Sequence, residues 1–406
     1  MDAILLNHTP ILKQADLELS SSKSESNRSL MIQALSEAPI ELSNLSDARD
    51  TQTMTRLLAS DDETWDVLDA GTTMRFLCAF AAVGTEKKIL TGTKRMQNRP
   101  IKILGDALKT LGAKIKYLNK EGYPPLAITP IKAQKTNELK IRGDVSSQYI
   151  SALLMIAPTL SEGLHLRLKG KVGSRPYIQM TLDLMSRFGV NHEWNGDLIS
   201  IESQAYQSST YTVESDWSAA SYWYSMVSLS QQGSVKLLGL RANSLQGDMA
   251  IVRIMNSLGV MSSFEEDGVL LQKIPHQNEV ELDFSDCPDL AQTVAVICAA
   301  KGVHCKMTGL ESLRIKETDR IKALKKELKK FGVRFKEIEE GLWEISGEFK
   351  KTDAPVEIET YEDHRMAMAF APLCTLQKII IKDPSVINKS YPRYWGHLET
   401  VGVVIE

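Results

Sequence analysis

The sequence predicts an α/β protein of two similar domains, assembled from six copies of one supersecondary unit. Three observations predict it. First, a bulky apolar residue, Gly, then Ala or Val recurs as Leu111-Gly112-Ala113, Phe188-Gly189-Val190, Leu258-Gly259-Val260, Phe331-Gly332-Val333 and Val401-Gly402-Val403. These glycines stand 77, 70, 73 and 70 residues apart, and each closes an amphipathic stretch where Gly can take the left-handed conformation that ends a helix. Second, an alternating strand, a polar turn and an apolar helix recur with the same period. The strand-to-turn pairs are 17–19 into 22–24, 67–68 into 69–72, 139–141 into 144–147, 211–213 into 216–218, 280–282 into 288–289 and 356–358 into 363–364. Repetition at such a period means copies of one unit. Third, 406 residues exceed one ordinary core, so the six units divide as three per domain.

Each element has a local reason. Ser, Thr and Asp at the turns are N-cap residues. The helices that follow, over 152–157, 293–300 and 366–373, carry almost no polar face, and a helix apolar all round is buried on every side. The glycine-stopped helices differ. The stretch 315–331 carries Lys322, Lys325, Lys326, Lys329 and Lys330, the pattern of a solvated face. Each unit therefore supplies one buried helix, one outer helix and several strands. The first unit, around residues 50–62, lacks the glycine stop.

Composition excludes several classes. Hydrophobic residues at 43% and charged residues at 24% are those of a soluble globular protein. A net charge of −3 gives no reason to expect nucleic acid or an anionic membrane as partner. No apolar run approaches the roughly 20 residues that span a bilayer. Met1-Asp2-Ala3 lacks the basic region of a targeting peptide, so a cytoplasmic location is expected. Cys78, Cys287, Cys298, Cys305 and Cys374 are scattered, mostly in apolar runs, and read as buried free thiols. The histidines show no ligand spacing, so no metal is expected.

Buried helices that start in Ser, Thr or Asp turns aim backbone N–H groups and a partial positive charge out of the core. Such ends bind anions, but the dipole offers only about half a charge per helix, so a phosphate site also needs full cations. Lys23, Arg28, Arg75, Arg99, Lys316, Arg320, Arg365 and Lys389 stand in or beside the turns. Each could instead pair with a nearby carboxylate. The phosphate-loop, dinucleotide, nucleophile-elbow and His-Glu-x-x-His signatures are absent. Small phosphorylated metabolites are therefore the expected ligands.

Together, eight segments resemble the enolpyruvyl transferases, and within them the branch acting on shikimate 3-phosphate. They are residues 22–28 (SKSESNR), 69–75 (DAGTTMR), 95–101 (RMQNRPI), 145–148 (VSSQ), 174–177 (SRPY), 243–248 (NSLQGD), 316–320 (KETDR) and 363–368 (DHRMAM), in family order over nearly the whole chain. The resemblance implies an inside-out α/β barrel fold, each domain holding three βαβαββ units around buried parallel helices. It places residues 1–15 with 214–406 in one domain and 16–213 in the other. It implies transfer of the carboxyvinyl group of phosphoenolpyruvate to the 5-hydroxyl of shikimate 3-phosphate, by addition and then elimination, without metal or organic cofactor. The chain is expected to act as a monomer.

By the same resemblance, Lys23, Gly71, Arg99, Gln148, Arg320, Arg365 and Lys389 bind phosphoenolpyruvate. Lys23, Ser24, Arg28, Ser146, Ser147, Gln148, Ser174, Asp289, Ser312 and Lys316 bind shikimate 3-phosphate. Lys23, Asp289 and Glu317 are catalytic, Asp289 as base and Glu317 as proton donor. Without the family, Asp289 reads as an N-cap, Glu317 as a first-turn helix acid or a salt-bridge partner of Lys316 or Arg320, and Lys389 as a solvated loop lysine. Three positions depart from the pattern: Phe76 stands where many relatives have Pro, Ser312 where many have Asn, and Ser22 where Gly is common. Two other readings compete. The sister enzyme acting on UDP-N-acetylglucosamine usually carries a Cys in the loop before the Arg-Pro pair, and residues 95–98 contain none. A non-catalytic phosphometabolite-binding protein would be expected to have lost Asp289 and Glu317.

Overall fold

The structure, a computed structural model, describes residues 2–170 and 172–406. The chain forms two compact units, Ser21–Val213 and the residues up to Ser20 with Glu214–Glu406.

In the unit Ser21–Val213 the helices are α1 (Lys23–Leu35), α2 (Arg49–Leu58), α3 (Gly71–Val83), α4 (Lys94–Gln97), α5 (Lys102–Leu111), α6 (Ser147–Ile156) and α7 (Arg175–Arg187). Two sheets share one plan. In the first, Thr64–Asp66 lies parallel to Lys88–Thr91, which pairs antiparallel with Leu126–Thr129, itself antiparallel to Lys114–Tyr117. In the second, Glu138–Arg142, Leu164–Lys169, Leu198–Ile201 and Glu193–Asn195 repeat that order and those directions. A parallel pair needs a crossover, and the buried helices α3 and α6 supply it. An outer helix, α5 or α7, then leads into the hairpin. Each copy thus reads βαβαββ. The third copy here is reduced to the parallel pair Ser209–Thr212 and Ile40–Ser43.

The other unit repeats the plan with α8 (Trp217–Leu229), α9 (Ile251–Ser257), α10 (Ala291–Lys301), α11 (Arg320–Lys329), α12 (His364–Phe370) and α13 (Tyr394–Thr400). Its four-stranded sheets run Ala15–Glu18, Ser234–Leu238, Gly268–Lys273, Val260–Phe264, and Glu279–Asp283, His304–Thr308, Leu342–Ser346, Arg334–Glu339. A three-stranded sheet joins Ala3–Leu6, Ile379–Lys382 and Val356–Ile358. Helices α8, α10 and α12 pack on one another in the middle. Every residue of α8 except Ser218 is buried, as the apolar sequence requires.

Two expected strand-to-helix pairs prove to be exchange points. Ala15–Glu18 pairs with Ser234–Leu238 in the sheet crossed by α8, although α1 follows it in sequence. Ser209–Thr212 pairs with Ile40–Ser43, although α8 follows it. The first compact unit accordingly runs as far as Ser20. Residues 67–68 are not strand: the strand ends at Asp66, and Leu68 takes a φ of 54°. The helix expected over 315–331 begins only at Arg320, capped by Asp319.

The stop glycines end α5, α7, α9, α11 and α13 with φ of 122°, 82°, 100°, 79° and 99°. Helix α2 ends instead on Ala59 at φ −90°, with no left-handed residue. The five lysines of α11 and its end are exposed. All five cysteines are buried and free. No helix among the described residues is long and apolar enough to cross a membrane.

At Gly332 a Cβ would be strained by the positive φ and would stand 3.0 Å from the carbonyl oxygen of Glu348. Gly332→Ala is expected to destabilise the unit by about 1–2 kcal/mol. A urea titration checks this, with a lower midpoint and an unchanged slope.

Candidate active site

In the unit containing Glu214–Glu406, four charged segments converge. Asp289 sits on the short turn Pro288–Leu290 that leads into α10. It is not the N-cap of α10, contrary to the N-cap expectation: α10 starts at Ala291, with Leu290 in the cap position and no side-chain cap bond. Its carboxylate instead accepts from Arg320 Nη1 at 3.0 Å and Arg365 Nη2 at 3.0 Å, with Lys316 Nζ at 3.6 Å. The tertiary ion pairs outbid the local cap. Glu317 lies in the turn before α11, not in its first helical turn. It accepts from Arg320 Nη2 at 2.8 Å, and Lys389 Nζ lies 3.8 Å away. Lys389 is 4% exposed, so the solvated-loop alternative is excluded.

Arg320 is the centre of this cluster. It is 1% exposed and donates through Nε to Asp363 Oδ2 at 2.7 Å, besides Asp289 and Glu317. Burial alone would ease its proton off; Asp363, Glu317 and Asp289 outweigh that and hold the charge firmly. Asp363 also caps α12, accepting from Arg365 N at 2.9 Å. Arg365 donates further to Tyr222 Oη at 3.3 Å and Ser218 Oγ at 3.2 Å. Burial would raise the Asp289 carboxyl, but Arg365, Lys316 and Arg320 hold it well below the usual carboxylate range. Asp289 is therefore ionised at neutral pH. The hydroxyl of Ser312 is enclosed and makes no hydrogen bond among the described residues.

The unit Ser21–Val213 gathers a second set. Ser22 caps α1 through Glu25 N at 3.3 Å with φ of −58°, so no glycine geometry is needed there. Lys23 stands 3.5 Å from Asp50, which is 2% exposed. Among the described residues Arg28, 2% exposed, donates only to neutral oxygens: Thr181 Oγ1 at 2.7 Å, Ser24 O at 3.0 Å, Ser151 Oγ at 3.2 Å and Tyr177 O at 3.4 Å. Its guanidinium lies over Phe76, 5.5 Å from the ring centroid. Burial pushes Arg28 down to about 10, still fully charged at neutral pH. Such a cation in contact with no carboxylate is half of an ion pair, and an anionic ligand would complete it.

A similar excess surrounds α3. Burial, then the charge of Arg99, push Arg75 down to about 10. Arg75 donates to Gly71 O at 3.0 Å and Pro100 O at 3.1 Å. Arg99 packs directly on Gly71, where a Cβ would lie 2.9 Å from its Cζ. The Arg99 guanidinium has no hydrogen bond or ion pair among the described residues; its backbone N–H donates to Met96 O at 3.0 Å. Gln148 donates to Thr72 Oγ1 at 3.0 Å, and Ser146 caps α6 through Gln148 N at 3.4 Å. Ser147 opens α6. Ser174 precedes α7 at φ 53° and makes no cap bond.

The structure thus brings Asp289, Lys316, Glu317, Arg320, Arg365 and Lys389 together in one unit. In the other it groups Lys23, Ser24 and Arg28 on α1, and Gly71 with Arg99. Sequence reasoning assigned no role to Asp50, Thr181, Ser218, Tyr222 or Asp248. Their partners are distant in the chain, and only the cap position of Asp363 was a local signal.

Gly71→Ala is expected to drive the Arg99 guanidinium from its seat. Calorimetric titration with phosphoenolpyruvate, the ligand the resemblance implies for Gly71 and Arg99, checks it: binding should weaken about tenfold, roughly 1.4 kcal/mol, while the melting temperature stays within a few degrees.

The sequence profile of EPSP synthase (3-phosphoshikimate 1-carboxyvinyltransferase) matches residues 57–398. The 3-phosphoshikimate 1-carboxyvinyltransferase of Bacteroides fragilis (strain YCH46) is 48% identical over 396 residues, covering 97% of this chain and 96% of that protein. The protein of the same name from Sulfurovum sp. (strain NBC37-1) is 36% identical over 419 residues, covering 96% of each. The solved EPSP synthase of Acinetobacter baumannii superposes with a TM-score of 0.82 at 20% identity, covering 100% of this chain and 99% of that one. That likeness carries the inside-out α/β fold, and the sequence matches over nearly full length carry the family: the chain belongs to the EPSP synthase family.

Proposed function

We propose that this protein is an enzyme that transfers the carboxyvinyl group of phosphoenolpyruvate to the 5-hydroxyl of shikimate 3-phosphate, releasing phosphate, in the pathway to chorismate and the aromatic amino acids. The observation that carries the chemistry is the pair of carboxylates, Asp289 and Glu317, held 3.0 and 2.8 Å from one buried guanidinium. A binding protein needs cations for phosphorylated ligands, but no acid–base pair.

The reading assigns roles as follows. Arg320, Arg365 and Lys389 are read as holding the anionic groups of phosphoenolpyruvate, and Lys23, Gly71, Arg99 and Gln148 carry the same assignment. Arg forks suit phosphate and carboxylate bidentately. Shikimate 3-phosphate takes Arg28 and the hydroxyls of Ser24, Ser146, Ser147 and Ser174, with Gln148, Ser312 and Lys316. The enclosed, unbonded hydroxyl of Ser312 supports a ligand contact there, so Ser in place of Asn keeps a donor.

In the addition step Asp289 takes the proton of the 5-hydroxyl as its oxygen bonds to C2 of phosphoenolpyruvate. Glu317 gives a proton to the methylene carbon. In the elimination a proton leaves the new methyl group, phosphate departs, and the vinyl double bond is restored. Asp289 is a weak base while Arg320, Arg365 and Lys316 surround it, and general bases work best with a pKa near the operating pH. Anions drawn to Arg320 and Arg365 would relieve that pull and raise its basicity. Lys389 beside Glu317 is placed to steady the carboxylate that proton donation leaves.

Phosphate release from phosphoenolpyruvate should require shikimate 3-phosphate. Release with UDP-N-acetylglucosamine instead, or binding of both substrates without turnover, overturns the reading. Glu317→Gln should bind both substrates with turnover lowered about 10²–10⁴-fold. A near-normal kcat in that variant would remove Glu317 from the proton transfer.

A further inference from the structure

A further carboxylate stands behind the site, outside the set that touches the proposed substrates. Asp248 lies on the short turn Gly247–Ala250, packed against α8 and α9, and is 4% exposed. The hydroxyl of Ser218, at the start of α8, donates to Asp248 Oδ2. The same Ser218 oxygen accepts from Arg365 Nη2 at 3.2 Å, and that nitrogen also donates to Asp289 Oδ2 at 3.0 Å. A hydroxyl has one proton and two lone pairs. An ionised Asp248 takes the proton and thereby turns a lone pair toward Arg365. Its charge fixes the direction of the relay.

We infer that Asp248 is a positioning residue for the enolpyruvyl-transfer reaction, acting through Ser218 to hold the Arg365 guanidinium in the orientation that serves Asp289 and the anion of phosphoenolpyruvate. The inference rests on the proposed function. It also explains why the one residue of α8 left unburied is a serine with both its bonds committed.

The relay has a protonation limit. Burial, then the charge of Asp289, push the Asp248 carboxyl up to about 6, and Asp216 adds to this; Arg365 and the Ser218 hydrogen bond pull the other way. The Cys287 thiol, itself pushed up to about 12 by burial, lies within its field, and the charged group of α9, Arg253, is exposed. Above pH ~6 Asp248 is ionised and the relay is set. As pH falls through that value the carboxyl takes up a proton, and the directing charge is lost.

Asp248→Asn keeps an acceptor for Ser218 but removes the charge. Its KM for phosphoenolpyruvate, divided by that of the unaltered enzyme at the same pH, should be about one at pH 5 and rise severalfold by pH 8. Taking the ratio cancels the titration of the substrate phosphates, which also falls near pH 6. Asp248→Ala and Ser218→Ala should each raise that KM about tenfold with a smaller loss of kcat, and the double variant should be no worse than either single one. A ratio flat with pH, or single-variant effects that multiply in the double variant, would overturn the inference. Ser218→Ala tests the relay even if the Asp248 variants fold poorly. Absence of shikimate-3-phosphate-dependent phosphate release in the unaltered protein would instead sink the proposed function itself.

Discussion

A guanidinium that is almost wholly removed from water must be compensated where it stands, and Arg320 sets that requirement for the unit containing Glu214–Glu406. Stripping such an ion of solvent costs several kcal/mol unless its hydrogen bonds are replaced by well-placed partners. Three carboxylates meet the requirement, and they come from three separate elements. Asp289 arrives on the turn before α10, Glu317 on the turn before α11, and Asp363 at the start of α12. One side chain thus fixes the relative placement of three helix starts. Loss of Asp363 would leave Arg320 short of a partner and α12 without its cap at once.

The unit Ser21–Val213 solves the same problem differently. Arg28 is as deeply buried as Arg320, yet its bonds go to hydroxyls and backbone carbonyls, with Phe76 beneath it. Neutral acceptors satisfy the geometry of a guanidinium without cancelling its charge. Around Arg320 the charge is already matched and the carboxylates are held ready. Around Arg28 and Arg99 it is left to be matched by a ligand. The first arrangement holds carboxylates ready for proton transfer, and the second leaves the charge of an arginine uncancelled.

Local physics was legible in the sequence and long-range pairing was not. The stop glycines could be read because a positive φ is a property of one residue, and Gly112, Gly189, Gly259, Gly332 and Gly402 all adopt it. The apolar helices were legible because all-round burial needs no knowledge of the partner. The cations at the turns were visible as residue types in a repeated place. Which strand belongs to which sheet was hidden, since Ala15–Glu18 pairs with residues more than two hundred positions later. Asp289 read as a cap for the same reason. Its true partners, Arg320 and Arg365, lie far along the chain, and their combined pull exceeds what a local backbone bond can offer. Ser218 and Asp248 lay in segments the sequence singled out, but their pairing did not show, because a hydroxyl relay is defined by geometry alone.

The low basicity of Asp289 bears on how such a site avoids working out of turn. With Arg320, Arg365 and Lys316 all directed at it, the carboxylate is ionised but holds a proton poorly. An alcohol that reached it alone would find a weak base. The two arginines that suppress it are also the groups best suited to an incoming phosphate and carboxylate. An anion engaging them would weaken their hold on Asp289 and so raise its basicity. Electrostatic competition of this kind needs no moving part. It needs only that one guanidinium group can serve either a resident carboxylate or an incoming anion, and the bonds from Arg320 and Arg365 to Asp289 supply the resident half.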